Sequence, residues 1–216
     1  GGLMKLELGI EKPKALTQKW EGQYDVFSWM EYVSAIPQPL FLVTTYKDND
    51  KPNACFHAWS TFTGEGENYY CILSMLNHQH TYKNIKERKD FCVNFPDVSN
   101  LEKCYSTIKN NDYSDDEIKK SGFTLEAAKA VSAPRIKECF LNLECSLEWE
   151  KPLFEGSKWI ILCGKVKHFA IDEEKVKNGI EGRYGNFGYM YNIHSPMNPM
   201  DGSEEESKIG IIEILK

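Results

Sequence analysis

PQPLFLVTTYKDNDKPNACFHAWSTF, residues 37–62, joins two β-rich runs through one polar turn. LFLVTTY (40–46) is β-branched and aromatic, and KDNDKPN (47–53) supplies the Asp, Asn and Pro that break strands. ACFHAWSTF (54–62) reads as the next strand, TGEGEN (63–68) as a glycine-bearing turn, and YYCILSML (69–76) as a third strand. Three strands with short connections predict an antiparallel meander.

The chain continues as LNHQHTYKNIKERKDFCVN (76–94), and FCVNF (91–95) reads as a fourth strand. Between the strands, Thr81 is a favoured N-cap type and YKNIKERK (82–89) contains good helix formers. Tyr82 and Ile85, three apart, share the face expected to pack on the sheet. Lys83, Lys86, Arg88 and Lys89 against Glu87 leave this segment at four minus one, +3, in a chain of formal net charge -6. His78 and His80 lack the companion ligands of a metal site, and no metal is expected. A hydroxyl, an imidazole and first-turn amides at the positive end of a helix dipole suit a phosphate. A capped surface helix with solvated lysines suits the same residues, and the segment alone does not choose between them.

Further on, SNLEKCYSTI (99–108) has helical spacing, Ser114 and Glu117 form a capping box, and TLEAAKAVS (124–132) predicts a third short helix closed by Pro134. ECFLNLECSLEWE (138–150) and KWIILCGKVKHFAID (158–172) are long β runs, with Pro152 and Gly156 in their connection. A helical turn is expected from Asp172, then the aromatic loop EGRYGNFGYMYN (181–192), an acidic surface segment (195–207) and a last β-like run, KIGIIEIL. Many strands with helices inserted rather than alternating predict a mainly β fold, a closed, Greek-key-like β-barrel with inserted short helices. Gly64 and Gly66 form only half of a dinucleotide fingerprint and join two strands, which marks a hairpin turn.

With 216 residues, 41% hydrophobic and 27% charged, the chain is expected to be a single domain of ordinary globular composition. Its acidity argues against nucleic acid as a partner, and no apolar run of membrane-spanning length or signal peptide is read, so a cytoplasmic protein is expected. Seven cysteines without a Cys-x-x-Cys pair predict reduced, mostly buried thiols.

Residues 37–62, then LSMLNHQHTYKNIKERKDFCVNFP (73–96), then GKVKHFAID (164–172) together resemble, in order, the flavin reductase-like family that includes the flavoredoxins. The resemblance implies an FMN-binding split β-barrel, usually homodimeric, with a core over about 35–172, an N-terminal arm (1–34) and an aromatic and acidic extension (173–216). It places Asn53, Ala54, Cys55, Phe56, Trp59, Ser60 and Thr61 along the flavin ring and ribityl chain. Ser74, Met75 and Asn77 match the next cofactor-contacting segment. His80, Thr81, Asn84 and Ile85 match the family's His-Thr-x-x-Asn-Ile, with the phosphate near the Thr81 hydroxyl. Read as residues alone, Ser60, Thr61 and Ser74 are equally ordinary strand hydroxyls, Trp59 core, and Cys55 an inert thiol.

Family members that use NADH often carry Gly-Asp-His before the Gly-x-Val strand. Here Gly156, Ser157, Lys158 and Trp159 precede Gly164, Lys165 and Val166, so Lys158 or Trp159 falls where histidine would stand. The resemblance therefore implies an oxidoreductase with tightly held FMN and either NAD(P)H or a redox protein as partner, and no side chain acting as catalyst. A non-catalytic flavin-binding electron carrier, or a barrel without cofactor, is the alternative. The aromatic loop 184–191 is expected to cover the flavin or to pack across a dimer, with dimer packing the favoured of the two.

Overall fold

The structure is a computed structural model, and it describes residues 2–109 and 116–216. Ser114 of the expected capping box lies outside the described residues. The chain folds as two compact units, Gly1–Pro37 with Asn192–Ile209, and Gln38–Tyr191 with Gly210–Lys216.

In the first unit α1 (Gln23–Val26) and α2 (Trp29–Ser34) follow an extended arm. The Ser28 hydroxyl accepts from the Met30 amide and caps α2. Leu16, Trp29, Tyr32 and Met197 form a small core of their own.

The second unit opens with β1 (Gln38–Pro39), β2 (Phe41–Tyr46), β3 (Pro52–His57), β4 (Ser60–Glu65) and β5 (Asn68–Leu76). Then come α3 (His80–Arg88), β6 (Asp90–Phe95), α4 (Leu101–Lys109) and α5 (Glu117–Ser121), the last capped by Asp116. Short β7 (Leu125–Glu126) and β8 (Arg135–Ile136) precede the long pair β9 (Leu141–Pro152) and β10 (Trp159–Ile171). After α6 (Glu173–Lys177), whose N-cap is Asp172, the remaining strands are β11 (Met190–Ile193) and β12 (Lys208–Ile211).

The chain is mainly β. Its main element is a seven-stranded antiparallel sheet in the order β3-β2-β6-β9-β10-β5-β4. The expected meander is therefore wrong in one respect: 54–62 is not one strand. It breaks at Ala58 and Trp59, and its halves, β3 and β4, are the two opposite edges of the sheet. From His57 to Ser60 is three residue steps, at most about 11 Å. Laid flat, the six strand spacings between those edges would measure about 29 Å. The sheet must curl until its ends approach. Phe41 of β2 and Phe62 of β4, far apart in the strand order, accordingly meet edge to face with centroids 6.0 Å apart.

The curl encloses one core, in which Phe41, Val43, Leu73, Met75, Phe91, Val93, Leu143 and Leu162 are buried together with Tyr82 and Ile85 of α3. The aromatic loop packs on its own sheet: Tyr189 lies 5.3 Å from Phe95 and 4.9 Å from Phe140, centroid to centroid. Burial pushes the Tyr189 hydroxyl up to about 12.

The helix expected over 124–132 is absent, replaced by the β7/β8 ladder and a bent segment. The cause is Glu144, a fully buried carboxylate on β9. It accepts from the amides of Lys129 (2.8 Å) and Ala130 (2.6 Å) and pairs with Arg135 (3.3 Å). Satisfying that buried charge outweighs the local helix propensity of an Ala-rich run.

All seven cysteines are free thiols, buried except the half-buried Cys55. Burial raises Cys92, Cys139 and Cys145 well above the usual thiol range and Cys104 to about 12. None of these four is a ready nucleophile.

Gly164 of β10 faces this core, and a Cβ there would overlap the Phe91 ring and press on Cys145 Cβ at 3.2 Å. Gly164→Ala is expected to lower stability by about 1–3 kcal/mol. A urea unfolding midpoint unchanged from wild type would show that the core yields freely at this point.

Candidate functional site

Three elements of the second unit surround a cleft of about 480 Å³. From β3 come Asn53, Ala54, Cys55 and Phe56; from the start of α3, His78, Gln79, His80 and Thr81; from the last turn of α4, Thr107 and Ile108. The lining is part apolar and part polar, as a small-molecule site requires.

Two side-chain hydrogen bonds fix α3 on the sheet. Asn53 Nδ2 donates to Thr81 Oγ1 at 3.0 Å, and Asn84 Nδ2 donates to Thr45 Oγ1 at 3.0 Å, with all four residues buried. Tyr82 and Ile85 turn into the main core from the face predicted for them. Thr81 is not the N-cap. The cap is Gln79, in extended conformation and without a side-chain capping bond, and Thr81 is the second residue of the helix. A turn bonded from the Gln79 amide to the Leu76 carbonyl (3.2 Å) starts the helix early, and Asn53 then engages the hydroxyl.

The charge of α3 is partly neutralised on its own surface. Arg88 pairs with Asp50 at 2.7 Å and Lys86 with Glu150 at 3.6 Å. What faces the cleft is the helix start, where first-turn amides and the dipole favour an anion.

Of the residues expected to meet a cofactor, Asn53, Ala54, Cys55, Phe56, His80 and Thr81 line this cleft. The others lie elsewhere. Met75 is fully buried in the core, Asn84 faces Thr45, Thr61 and Asn77 are exposed, and Ser60 and Ser74 are half-buried. Trp59 sits at the break between β3 and β4. Its ring lies 5.4 Å from Trp159 and 5.6 Å from the buried His57, its carbonyl accepts from the Ser74 amide at 3.0 Å, and the Ser60 amide donates to Gln38 Oε1 at 3.1 Å. Thr107 and Ile108 belong to the cleft although helical spacing marked α4 only as a packing element. Their position could be read only from the tertiary fold.

Several buried polar atoms find no hydrogen-bond partner among the described residues: Gln79 Oε1 in the cleft lining, Ser60 Oγ and Asn84 Oδ1. A buried polar atom left unpaired costs about 1–3 kcal/mol, so such atoms are where a polar ligand gains most. Among the described residues no group of three or more His, Cys, Asp or Glu is placed to hold a metal ion. No helix among them is long and apolar enough to cross a membrane.

Comparison with known proteins bears on this arrangement. Residues 33–191 match the flavin reductase like domain. An uncharacterized protein of Methanothermobacter thermautotrophicus is 28% identical over 148 residues, 65% of this chain, and the chain spans 66% of that relative. Among solved structures, nitrilotriacetate monooxygenase component B from Bacillus cereus superposes with a TM-score of 0.77 at 19% identity, covering 99% of both chains. Flavoredoxin of Desulfovibrio vulgaris gives 0.62 at 18% identity, covering 93% of this chain and 96% of the other. At these identities the structures establish a shared fold.

His57 provides a test of the geometry beside the cleft. Desolvation lowers its pKa to about 4, so it is neutral at pH 7. The unfolded chain, with an ordinary imidazole near 6.5, takes up the proton first. Stability is therefore undiminished above about pH 6.5 and falls as pH drops toward 4, by about 3 kcal/mol when complete. His57→Phe is expected to remove that component from the acid limb of the stability profile. Identical limbs in wild type and variant would mean that His57 titrates normally.

Proposed function

Because the chain belongs to the flavin reductase-like family, we propose that it binds FMN in this cleft and acts as a flavin-dependent oxidoreductase that passes electrons through it. The observation that carries the reading is the placement of Thr81 and His80 at the start of α3, facing Asn53, Ala54, Cys55 and Phe56 across a cleft large enough for such a ligand.

The donor set fits the group. The start of a nine-residue helix and the Thr81 hydroxyl suit the phosphate, and Ala54, Cys55, Phe56 and Ile108 offer apolar walls. Gln79 and Ser60 hold polar atoms in need of a partner, which suits a polar ring edge. When bound, the flavin supplies the redox chemistry, taking up and returning a hydride or single electrons. The protein orients it: Asn53 holds the Thr81 hydroxyl, and Asn84 holds the helix that presents it. Trp59, Thr61, Ser74, Met75 and Asn77 remain part of the proposed site as the family resemblance assigns them. No side chain is assigned a catalytic role.

Within this reading the curled sheet is a split β-barrel, closed at the crossing of Ala58 and Trp59, and the whole chain is one flavin reductase-like domain with two extensions. The protein works as a homodimer in the cytoplasm, without nucleic acid or membrane. Trp159, held against Trp59 where relatives that use NADH often carry a histidine nearby, favours a redox protein over NAD(P)H as the partner.

The decisive experiment is an absorption spectrum of the purified protein with chromatography of the released chromophore, expected to give about one FMN per chain. FAD, or no flavin binding on titration, would sink the reading.

Two variants of that experiment probe the details. Thr81→Val, which keeps shape but strips the hydroxyl, is expected to weaken FMN by some 10- to 150-fold, the range for losing a bond to a charged group. Riboflavin, lacking phosphate, should lose much less, so an unchanged FMN to riboflavin ratio would move the phosphate away from Thr81. Steady-state NADH oxidation with free FMN is expected to run well below the enzyme median of about 10 per second. Turnover at that median would show that Trp159 does not exclude nicotinamide.

A further inference from the structure

We propose that the outer face of the sheet carries a second binding site, built from Glu148, Trp149 and Tyr70, for an organic cation with an alkylated ammonium head. The site shares no residue with the cleft at α3 and does not rest on the flavin reading.

It begins with a fault in the β9–β10 ladder. Cys163 pairs with Trp149, but the next residue, Gly164, pairs with Leu147, so Glu148 is an extra residue without a partner on β10. In a regular strand neighbouring side chains point to opposite faces, whereas a bulge re-aims one of them. Glu148 and Trp149, consecutive in the chain, accordingly border the same hollow of about 290 Å³. Its other walls are Thr63 of β4, Tyr70 and Ile72 of β5, and Cys163 of β10. These alternate with Phe62, Cys71 and Leu162, which turn into the core, so the hollow lies on the outer side of the sheet.

The lining selects the chemistry of the ligand. Trp149 is 46% exposed, and among the described residues no ring or cation lies against it. The Glu148 carboxylate likewise makes no hydrogen bond or ion pair with a described residue. Lys151 and Lys165, the next cations along β9 and β10, neither border the hollow nor pair with it. Its charge nonetheless reaches the floor: burial first, and then Glu148, raise the Cys163 thiol.

An aromatic face attracts a cation through its quadrupole, and the attraction is greatest where water is displaced. Ile72 and the buried Cys163 supply an apolar floor for methyl or methylene groups. A small inorganic cation would forfeit its hydration against that floor, and an anion would meet Glu148. An alkylated ammonium group gives up little water and gains ring faces and a carboxylate together. The volume stands at the lower end of the range for small-molecule pockets, about 300–1,000 Å³, so it takes a head group and a short stem.

The probe is choline, titrated into the full chain at an ionic strength held constant with NaCl. The readout is the indole N–H resonance of Trp149, assigned by its loss in Trp149→Leu. Choline is expected to shift it with a Kd on the order of 1–10 mM. The uncharged isostere 3,3-dimethyl-1-butanol is expected to bind about 10-fold more weakly. Glu148→Gln is expected to weaken choline about 5- to 10-fold, with far-UV circular dichroism unchanged. A peptide bearing trimethyllysine separates the two sources of such a head group. Tighter binding than choline assigns the site to a protein side chain, and equal or weaker binding to a free small molecule. A resonance unmoved by choline, an isostere that binds equally well, or a Glu148→Gln chain that binds like wild type would overturn the cation site.

Discussion

Everything in the larger unit follows from a crossing two residues long. Ala58 and Trp59 carry the chain from one edge of a seven-stranded sheet to the other, and backbone length leaves no route but curling the sheet until its edges approach. The curl makes the core. Phe41 and Phe95 come from the neighbouring strands β2 and β6, and Phe62 from β4, which a flat sheet would keep far from both, yet the Phe62 centroid lies 6.0 Å from Phe41 and 5.6 Å from Phe95. The crossing also creates the environment of His57, which is buried because the opposite edge comes back over it and neutral because burial leaves no solvent for its charge.

The candidate site is built outward from that frame. Tyr82 and Ile85 anchor α3 in the core, and the two amide-to-hydroxyl bonds, Asn53 to Thr81 and Asn84 to Thr45, fix its rotation. Each such bond contributes only about 1 kcal/mol net, but losing one partner strands a buried donor at greater cost. The helix start is thus held rigidly against β3, and a site needs that more than it needs stability.

Much of this was legible in the residues. The hairpin through 47–53, the long runs of β9 and β10, the helix after Thr81 and its inward face all announced themselves through period and turn chemistry. The break at Ala58 did not, because apolar and polar residues run through ACFHAWSTF with no glycine or proline to mark a corner. The segment 124–132 misled because its helix-forming residues answer to Glu144, which lies a dozen residues further along the chain. Thr81 misled more subtly. Its type suits a cap, but Asn53 claims the hydroxyl, and Gln79 begins the helix without side-chain help. In the cleft, Asn53, His80 and Thr81 could be named from a family resemblance, whereas Thr107 and Ile108 could not, because helical spacing reports only which face packs.

Glu144 has a kinetic meaning as well. The amides of Lys129 and Ala130 belong to a bent segment without secondary structure, yet each donates to a carboxylate with no exposure to water, and nearby Ser132 is tied by its amide and hydroxyl to Asp90. Those two amides can exchange their hydrogens with solvent only when the carboxylate is uncovered, which means lifting the segment off β9. In an exchange experiment this irregular stretch therefore keeps time with the strand beneath it rather than with the loops around it.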